Sequence, residues 1–199
     1  ALRPESQLIL ASASPRRKHL LEQIGYSFKV IPSHMDEPPY VGHDPAHYAS
    51  NLATLKATEI SDKYPGALVV GADTIVVIGE EVLGKPEDEA SAHKMLRQLS
   101  GKNHQVITAY SFQLKSCSIN QVHHVLTQVH FKQLRQDEIN HYIESRAPFD
   151  KAGAYGIQDY SSVFVDRIEG CFYNVVGLPL SDFNENLNKL LGHHSITLK

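Results

Sequence analysis

The feature that most constrains this chain is the run A-L-V-V-G-A-D-T at residues 67–74, where an unbroken apolar stretch leads into an acid. A strand with one wet face alternates apolar and polar residues. A run without alternation belongs to a strand buried on both faces, inside a sheet covered by helices on each side. Residues 67–71 are read as such a strand, ending in Asp73. Ligands of open α/β sheets gather beyond the carboxyl ends of strands, so Asp73 and Thr74 stand where a site is expected. Read alone, an acid there suits the capping of a turn or helix at least as well.

The rest of the chain agrees with an α/β arrangement. Residues 8–11 read as a short buried strand, 12–14 as a loop, and Pro15 as the first residue of a helix that stops at Gly25. A strand over 28–31 enters a loop that its two prolines keep irregular, and Asp44-Pro45 caps a long helix to about residue 64, with Tyr48, Leu52, Leu55 and Ile60 near helical spacing. Residues 75–78 and 82–83 suggest a hairpin turning at Gly79. Helices are expected over 87–99, 136–145 and 179–191, and strands over 105–114, 122–131 and 163–168. No repeat, low-complexity tract or linker interrupts the pattern. The expectation is one domain over residues 1–199, an α/β fold with a mixed central β-sheet flanked by helices.

Composition removes several function classes. The net charge of -3, with both signs mixed along the chain, gives no basic stripe of the kind duplex binding relies on, so nucleic acid is not expected as a partner. No run approaches a membrane span, and the N-terminus lacks the charged-then-apolar order of a leader, which together suggest a cytoplasmic protein. Cys117 and Cys171 form neither a metal pair nor a disulfide framework. The twelve histidines have no spaced ligand signature and are read as surface residues.

Five segments carry possible chemistry. In S-A-S-P-R-R, Arg16 and Arg17 fall in the first turn of a helix, where cations oppose the helix dipole. A bound phosphate would reverse that penalty, drawing on free N–H groups, Ser12 and the guanidiniums. Lys85 follows Gly84 in a turn, a compact cation suited to a phosphate oxygen or to plain solvent. Asp36 and Glu37 lie in the proline-bounded loop as hard-oxygen ligands for Mg²⁺ or Mn²⁺, or as solvated acids. Asp73 and Thr74 are the fourth segment. In K-A-G-A-Y-G-I-Q the planar amide of Gln158 can read the edge of a base.

Together S-P-R-R, G-A-D-T, G-K-P, L-S-G-x-x-H (residues 99–104), K-A-G-x-Y-G-I-Q and V-V-G-L-P-L (residues 175–180) resemble the Maf family of nucleotide pyrophosphatases, in the family's order. The resemblance implies two lobes around an active-site cleft, in a Maf/ITPase-like fold. It also implies a divalent metal requirement, cleavage between the α and β phosphates of a nucleoside triphosphate, and a homodimer. Arg16, Thr74 and Gln158 are similar to the subgroup acting on dTTP and UTP rather than to the subgroup acting on 7-methyl-GTP. One departure stands out: Asp159-Tyr160-Ser161 replaces the family's usual Gly-x-Gly, and if those glycines need φ > 0 the pocket wall should shift.

The resulting expectation is that Glu37 and Asp73 hold the metal, Ser12, Arg17 and Lys85 grip non-bridging oxygens, and Lys56 adds positive charge from the long helix. Asp73 then orients or deprotonates the attacking water, as base or as metal ligand. Two rivals are a cell-division regulator acting through partners and a nucleotide sensor that binds without cutting.

Overall fold

The computed structural model describes residues 5–199. Residues 1–4, on which part of the N-terminal reading rests, lie outside the described residues. The elements in chain order are β1 (Glu5–Ser6), β2 (Leu8–Leu10), α1 (Pro15–Gln23), β3 (Lys29–Val30), α2 (Pro45–Lys63), β4 (Leu68–Ile78), β5 (Glu81–Leu83), α3 (Glu89–Leu99), β6 (Asn103–Leu114), β7 (Ile119–Phe131), α4 (Gln136–Glu144), β8 (Val165–Glu169), α5 (Phe172–Val176), α6 (Leu180–His194) and β9 (Thr197–Leu198). Seven strands make one mixed sheet in the order β3-β2-β4-β6-β7-β8, with β5 also on β4, while β1 and β9 pair separately. β2 runs parallel to β3 and β4, and β1 to β9, while the remaining pairs of the large sheet are antiparallel.

The starts of the helices follow local chemistry. Ser14 caps α1 by accepting the Arg17 N–H, and Asp44 caps α2 by accepting the Ala46 N–H, each with proline as the first helical residue. Gly25 ends the α1 segment at φ 82°, a left-handed conformation that glycine adopts without a steric penalty.

The buried run at residues 67–71 does not end at Asp73 as expected. β4 continues to Ile78, because β6 pairs with it from Val69 to Val77. Asp73 therefore sits inside a strand, opposite Ala109. The later strand begins at Val165 rather than 163, since residues 160–164 coil into a 3-10 turn. The short helix α5 and the β1–β9 ribbon were not anticipated from the sequence.

Alternation along β4 assigns its two faces. Leu68, Val70 and Ala72 join the core under α1 and α6, with Tyr110, Phe112 and Phe183, while Val76 joins a second core under α3 and α4 with Leu96, Val106, Tyr142 and Phe164. The two cores are the two lobes. The opposite face packs Val69, Ile75 and Val77 against α2. The buried side of α2 is mainly small, Ala49, Ala53 and Ala57 beside Leu52 and Ile60, whereas Leu55 is only half-buried. Gly71 shows why: a Cβ there would lie 2.3 Å from the Ala53 carbonyl oxygen and 2.6 Å from the Ala57 nitrogen. The α2 backbone rests directly on the strand.

Candidate active site

Strand pairing leaves a gap at the centre of the molecule. On the side of β4 away from β6, β2 pairs with Leu68 to Val70 and β5 with Val76 to Ile78. Residues 71–75 between them have no strand partner on that side. Asp73 and Thr74 occupy this unpaired edge, facing a cleft of about 970 Å³ between the lobes. The carboxyl end of the parallel β2–β4 pair is thus where the site lies, although β4 itself runs on.

Asp73 is only 8% exposed. Its Oδ1 accepts from Lys56 Nζ at 2.6 Å, and the same ammonium lies 2.6 Å from Glu37 Oε1. One cation from α2 therefore gathers an acid from β4 and an acid from the loop after β3. Burial pushes the Asp73 carboxyl above the ordinary carboxylate range, with Lys56 and Arg17 opposing that shift. Asp36 does not line the cleft, so of the expected acid pair only Glu37 reaches it.

Arg17 is placed differently from a free phosphate grip. Its Nε donates to the Gly177 carbonyl at 2.8 Å, Nη1 to Ser12 Oγ at 3.2 Å and Nη2 to Thr74 Oγ1 at 2.9 Å. Burial lowers its pKa and the Asp73 charge opposes this. Thr74 Oγ1 also lies 2.8 Å from Thr108 Oγ1, and Thr108 is bonded through its backbone and hydroxyl to buried Asn174. Arg17 thus ties the β2 loop, β4 and the 177 segment together, and Ser12 is part of that tie. A planar fork suits such a node because its donors leave in fixed directions.

Arg16 is likewise engaged, with Nη1 2.9 Å from Asp150 Oδ2. This ion pair joins the N-terminus of α1 to the segment before Tyr155. Lys85 is exposed on the cleft wall and is in no ion pair among the described residues. Its loop is fixed where the Gly84 carbonyl accepts from the Gly153 N–H at 3.0 Å. Gln158 is exposed at the cleft wall.

The departure at residues 159–161 is accommodated without strain, since positive φ occurs at none of Asp159, Tyr160 and Ser161. Asp159 Oδ1 accepts from the Ser161 N–H at 2.9 Å, and its Oδ2 accepts from Tyr142 Oη at 3.0 Å. Ser161 Oγ in turn accepts from the Gly156 N–H at 3.0 Å. Side-chain bonds define this turn.

Sequence reasoning missed several of these groups. Asp150 and Asn174 have no signature of their own, and His104, expected at the surface, is 2% exposed with Nε2 2.6 Å from Tyr155 Oη. Its place in L-S-G-x-x-H was the available signal.

The fold and cleft define an α/β protein with a two-lobed, carboxylate-centred site whose walls carry ammonium and guanidinium groups, a setting for a small polyanion and a hard cation. The chain belongs to the family described as Maf-like protein, whose sequence pattern matches residues 7–190. It is 44% identical over 184 residues to a "dTTP/UTP pyrophosphatase" of Syntrophus aciditrophicus (strain SB), covering 92% of this chain and 90% of that one. A protein of the same name from Symbiobacterium thermophilum is 49% identical over 174 residues, covering 87% and 89%. Among solved structures, a HAM1 protein from Coxiella burnetii aligns with a TM-score of 0.51 at 13% identity, over 92% of this chain and 99% of that one, a likeness of fold.

Proposed function

We propose that this protein is a cytoplasmic nucleoside triphosphate pyrophosphatase, a single catalytic unit that hydrolyses dTTP and UTP to the monophosphate and pyrophosphate. The observation that carries the reading is the Asp73 carboxylate held by Lys56 on the unpaired edge of β4, between walls bearing Lys85 and Gln158. The names of the relatives in two bacteria support the substrate. No helix is long and apolar enough to cross a membrane among the described residues.

The donor set fits a divalent cation. Two carboxylate oxygens, from Glu37 and Asp73, already converge on one positive charge at 2.6 Å each. Mg²⁺ is commonly held by one or two carboxylates, with substrate phosphates and water completing its shell. In this reading Glu37 and Asp73 hold Mg²⁺ or Mn²⁺, which supplies charge neutralisation for the phosphates when bound.

The protein's own groups do the rest. Asp73 orients the attacking water and takes its proton at the carboxylate, the water oxygen bonds to the α phosphorus, and the bond to the departing pyrophosphate breaks. A carboxyl raised by burial is the better base near neutral pH. Lys56 and Lys85 carry positive charge to the phosphate oxygens. Arg17 and Ser12 keep the loop before α1 in position, and their remaining N–H and hydroxyl capacity faces the triphosphate. Gln158 reads uracil or thymine through an amide able both to accept from N3–H and to donate to a carbonyl. Arg16, Thr74 and Gln158 together favour a pyrimidine over 7-methyl-GTP.

The test is a pyrophosphate-release screen of canonical and methylated triphosphates with Mg²⁺ and Mn²⁺. Release from dTTP and UTP above the others is expected. Binding of dTTP without release would instead make the protein a sensor.

A further inference from the structure

Glu59 lies on α2 one turn beyond Lys56, and no role follows from its place in the sequence, where an acid four residues before Lys63 reads as a solvated helix pair. In the structure that pair exists, with Lys63 Nζ 2.9 Å from Oε1, but it uses only one oxygen. The other oxygen is turned to the loop after β3. Glu59 Oε2 accepts from Ser33 Oγ at 2.6 Å, from the His34 N–H at 2.9 Å and from the Met35 N–H at 3.1 Å. Ser33 Oγ accepts a further bond from the Met35 N–H at 3.4 Å. Two successive backbone amides and a hydroxyl thus close on one carboxylate oxygen, and Glu37 follows two residues later, 2.6 Å from Lys56.

The prolines of this loop give it no regular hydrogen bonding of its own. Its position relative to α2 is therefore set by side chains, and α2 supplies three anchors: Lys56 for the Glu37 carboxylate, Glu59 for the backbone of residues 34 and 35 that leads to it, and Tyr48, whose Oη donates to the Pro38 carbonyl at 2.9 Å just beyond it. The hydrogen bonds from Ser33 and Lys63, followed by the His34 amide, hold the Glu59 carboxyl down to about 2, so it stays an acceptor throughout the neutral range.

We propose that Glu59 is a positioning residue for the divalent-cation site, fixing residues 33–37 so that Glu37 is presented beside Asp73. The inference rests on the reading above in which Glu37 and Asp73 hold the cation. It assigns to Glu59 an effect on cation affinity and none on the chemical step, because it touches neither substrate nor cation.

The experiment uses the whole protein and three variants, Glu59→Ala, Glu59→Gln and Glu37→Gln. Affinity for Mn²⁺ with the α,β-methylene analogue of dTTP, which is not cleaved at that bridge, is measured by calorimetry. The Mn²⁺ concentration for half-maximal pyrophosphate release and the kcat at saturating Mn²⁺ are measured beside it. Outer groups that orient a metal ligand are worth about 10–100-fold in affinity. Glu59→Ala is expected to weaken binding and raise the half-maximal Mn²⁺ by about tenfold with kcat little changed, and to speed hydrogen exchange at the His34 and Met35 amides. Glu59→Gln retains an oxygen acceptor and should stay near the parent protein.

Faster exchange at those amides with unchanged Mn²⁺ dependence in Glu59→Ala would overturn the proposal, as would a fall in kcat at saturating Mn²⁺ without a change in affinity. If Glu37→Gln also leaves Mn²⁺ affinity intact, the cation reading itself fails. If Glu37→Gln weakens affinity while Glu59→Ala does not, only the role of Glu59 is lost.

Discussion

Asp73 and Thr74 are neighbours on β4 that face opposite sides of the sheet, Asp73 toward Lys56 at 2.6 Å and Thr74 toward Arg17 at 2.9 Å. Both reach one cleft because the strand edge between β2 and β5 is uncovered there. Their neighbours differ, and so should their variants. Thr74→Val removes the oxygen that accepts from Arg17 and meets Thr108; Thr108 keeps the Asn174 carbonyl, but the Arg17 Nη2 donor of a buried node is left without that partner. A loss of about 1–3 kcal/mol is expected for such a group, read from the midpoint of urea unfolding.

Lys56 holds two carboxylates that otherwise repel each other. Burial already raises Asp73, and the Lys56 charge is the largest effect opposing it. Asp73 acts as a carboxylate in the proposed reaction, so activity falls as pH drops through its pKa, and that limb should lie above the ordinary carboxylate range. Lys56→Met should move the limb further toward neutral pH, as a profile of kcat/KM between about pH 4 and 9 would record. An unmoved limb would mean that another group controls it.

His104 gives a separate acid response, in stability rather than activity. Burial holds its pKa down to about 4, against 6.5 for the unfolded chain. The depressed value means that the unfolded state takes up the proton first. The folded state is favoured above pH 6.5 and loses that contribution as pH falls toward 4, on the order of 3 kcal/mol in all. Unfolding midpoints from pH 7.5 to 4 should show this decline, and His104→Gln, which keeps a partner for Tyr155, should flatten it.

Gly71 tests how closely α2 and β4 depend on each other. A methyl group at this position would overlap the Ala53 and Ala57 backbone, atoms that cannot swing aside as a side-chain tip could. Gly71→Ala should cost about 1–3 kcal/mol, the usual range for overpacking, and should lift Lys56 away from Asp73. A fall in kcat/KM larger than the loss of folded protein accounts for is the expected signature.

Much of this site was legible in the chain, and the parts that were not have physical causes. The buried run at 67–71 located the central strand, because burial on both faces leaves a compositional trace. Its end was misjudged, since continuation past Asp73 depends on pairing with β6, whose partner residues lie 28 to 34 positions further along the chain. Arg16 and Arg17 announced themselves by opposing a helix dipole, yet their partners, Asp150 and Gly177, come from the far end of the chain. Glu59 belongs to none of the motifs, and its loop partners Ser33, His34 and Met35 lie 24 to 26 positions away in the chain. The residues 159–161 looked hazardous only on the premise of positive φ, and the bonds of Asp159 and Ser161 remove that premise.

The most direct test compares pyrophosphate release from dTTP by the parent protein and by Asp73→Asn, at saturating Mg²⁺, with the unfolding midpoint of each measured alongside. Asparagine removes the charge and proton affinity of Asp73 while keeping its size. The parent protein should release pyrophosphate and dTMP in equal amounts. The variant should stay folded, still bind dTTP, and lose release by at least about 100-fold, the lower end of what general base catalysis contributes. Near-normal release by a folded Asp73→Asn protein would contradict the role assigned to Asp73.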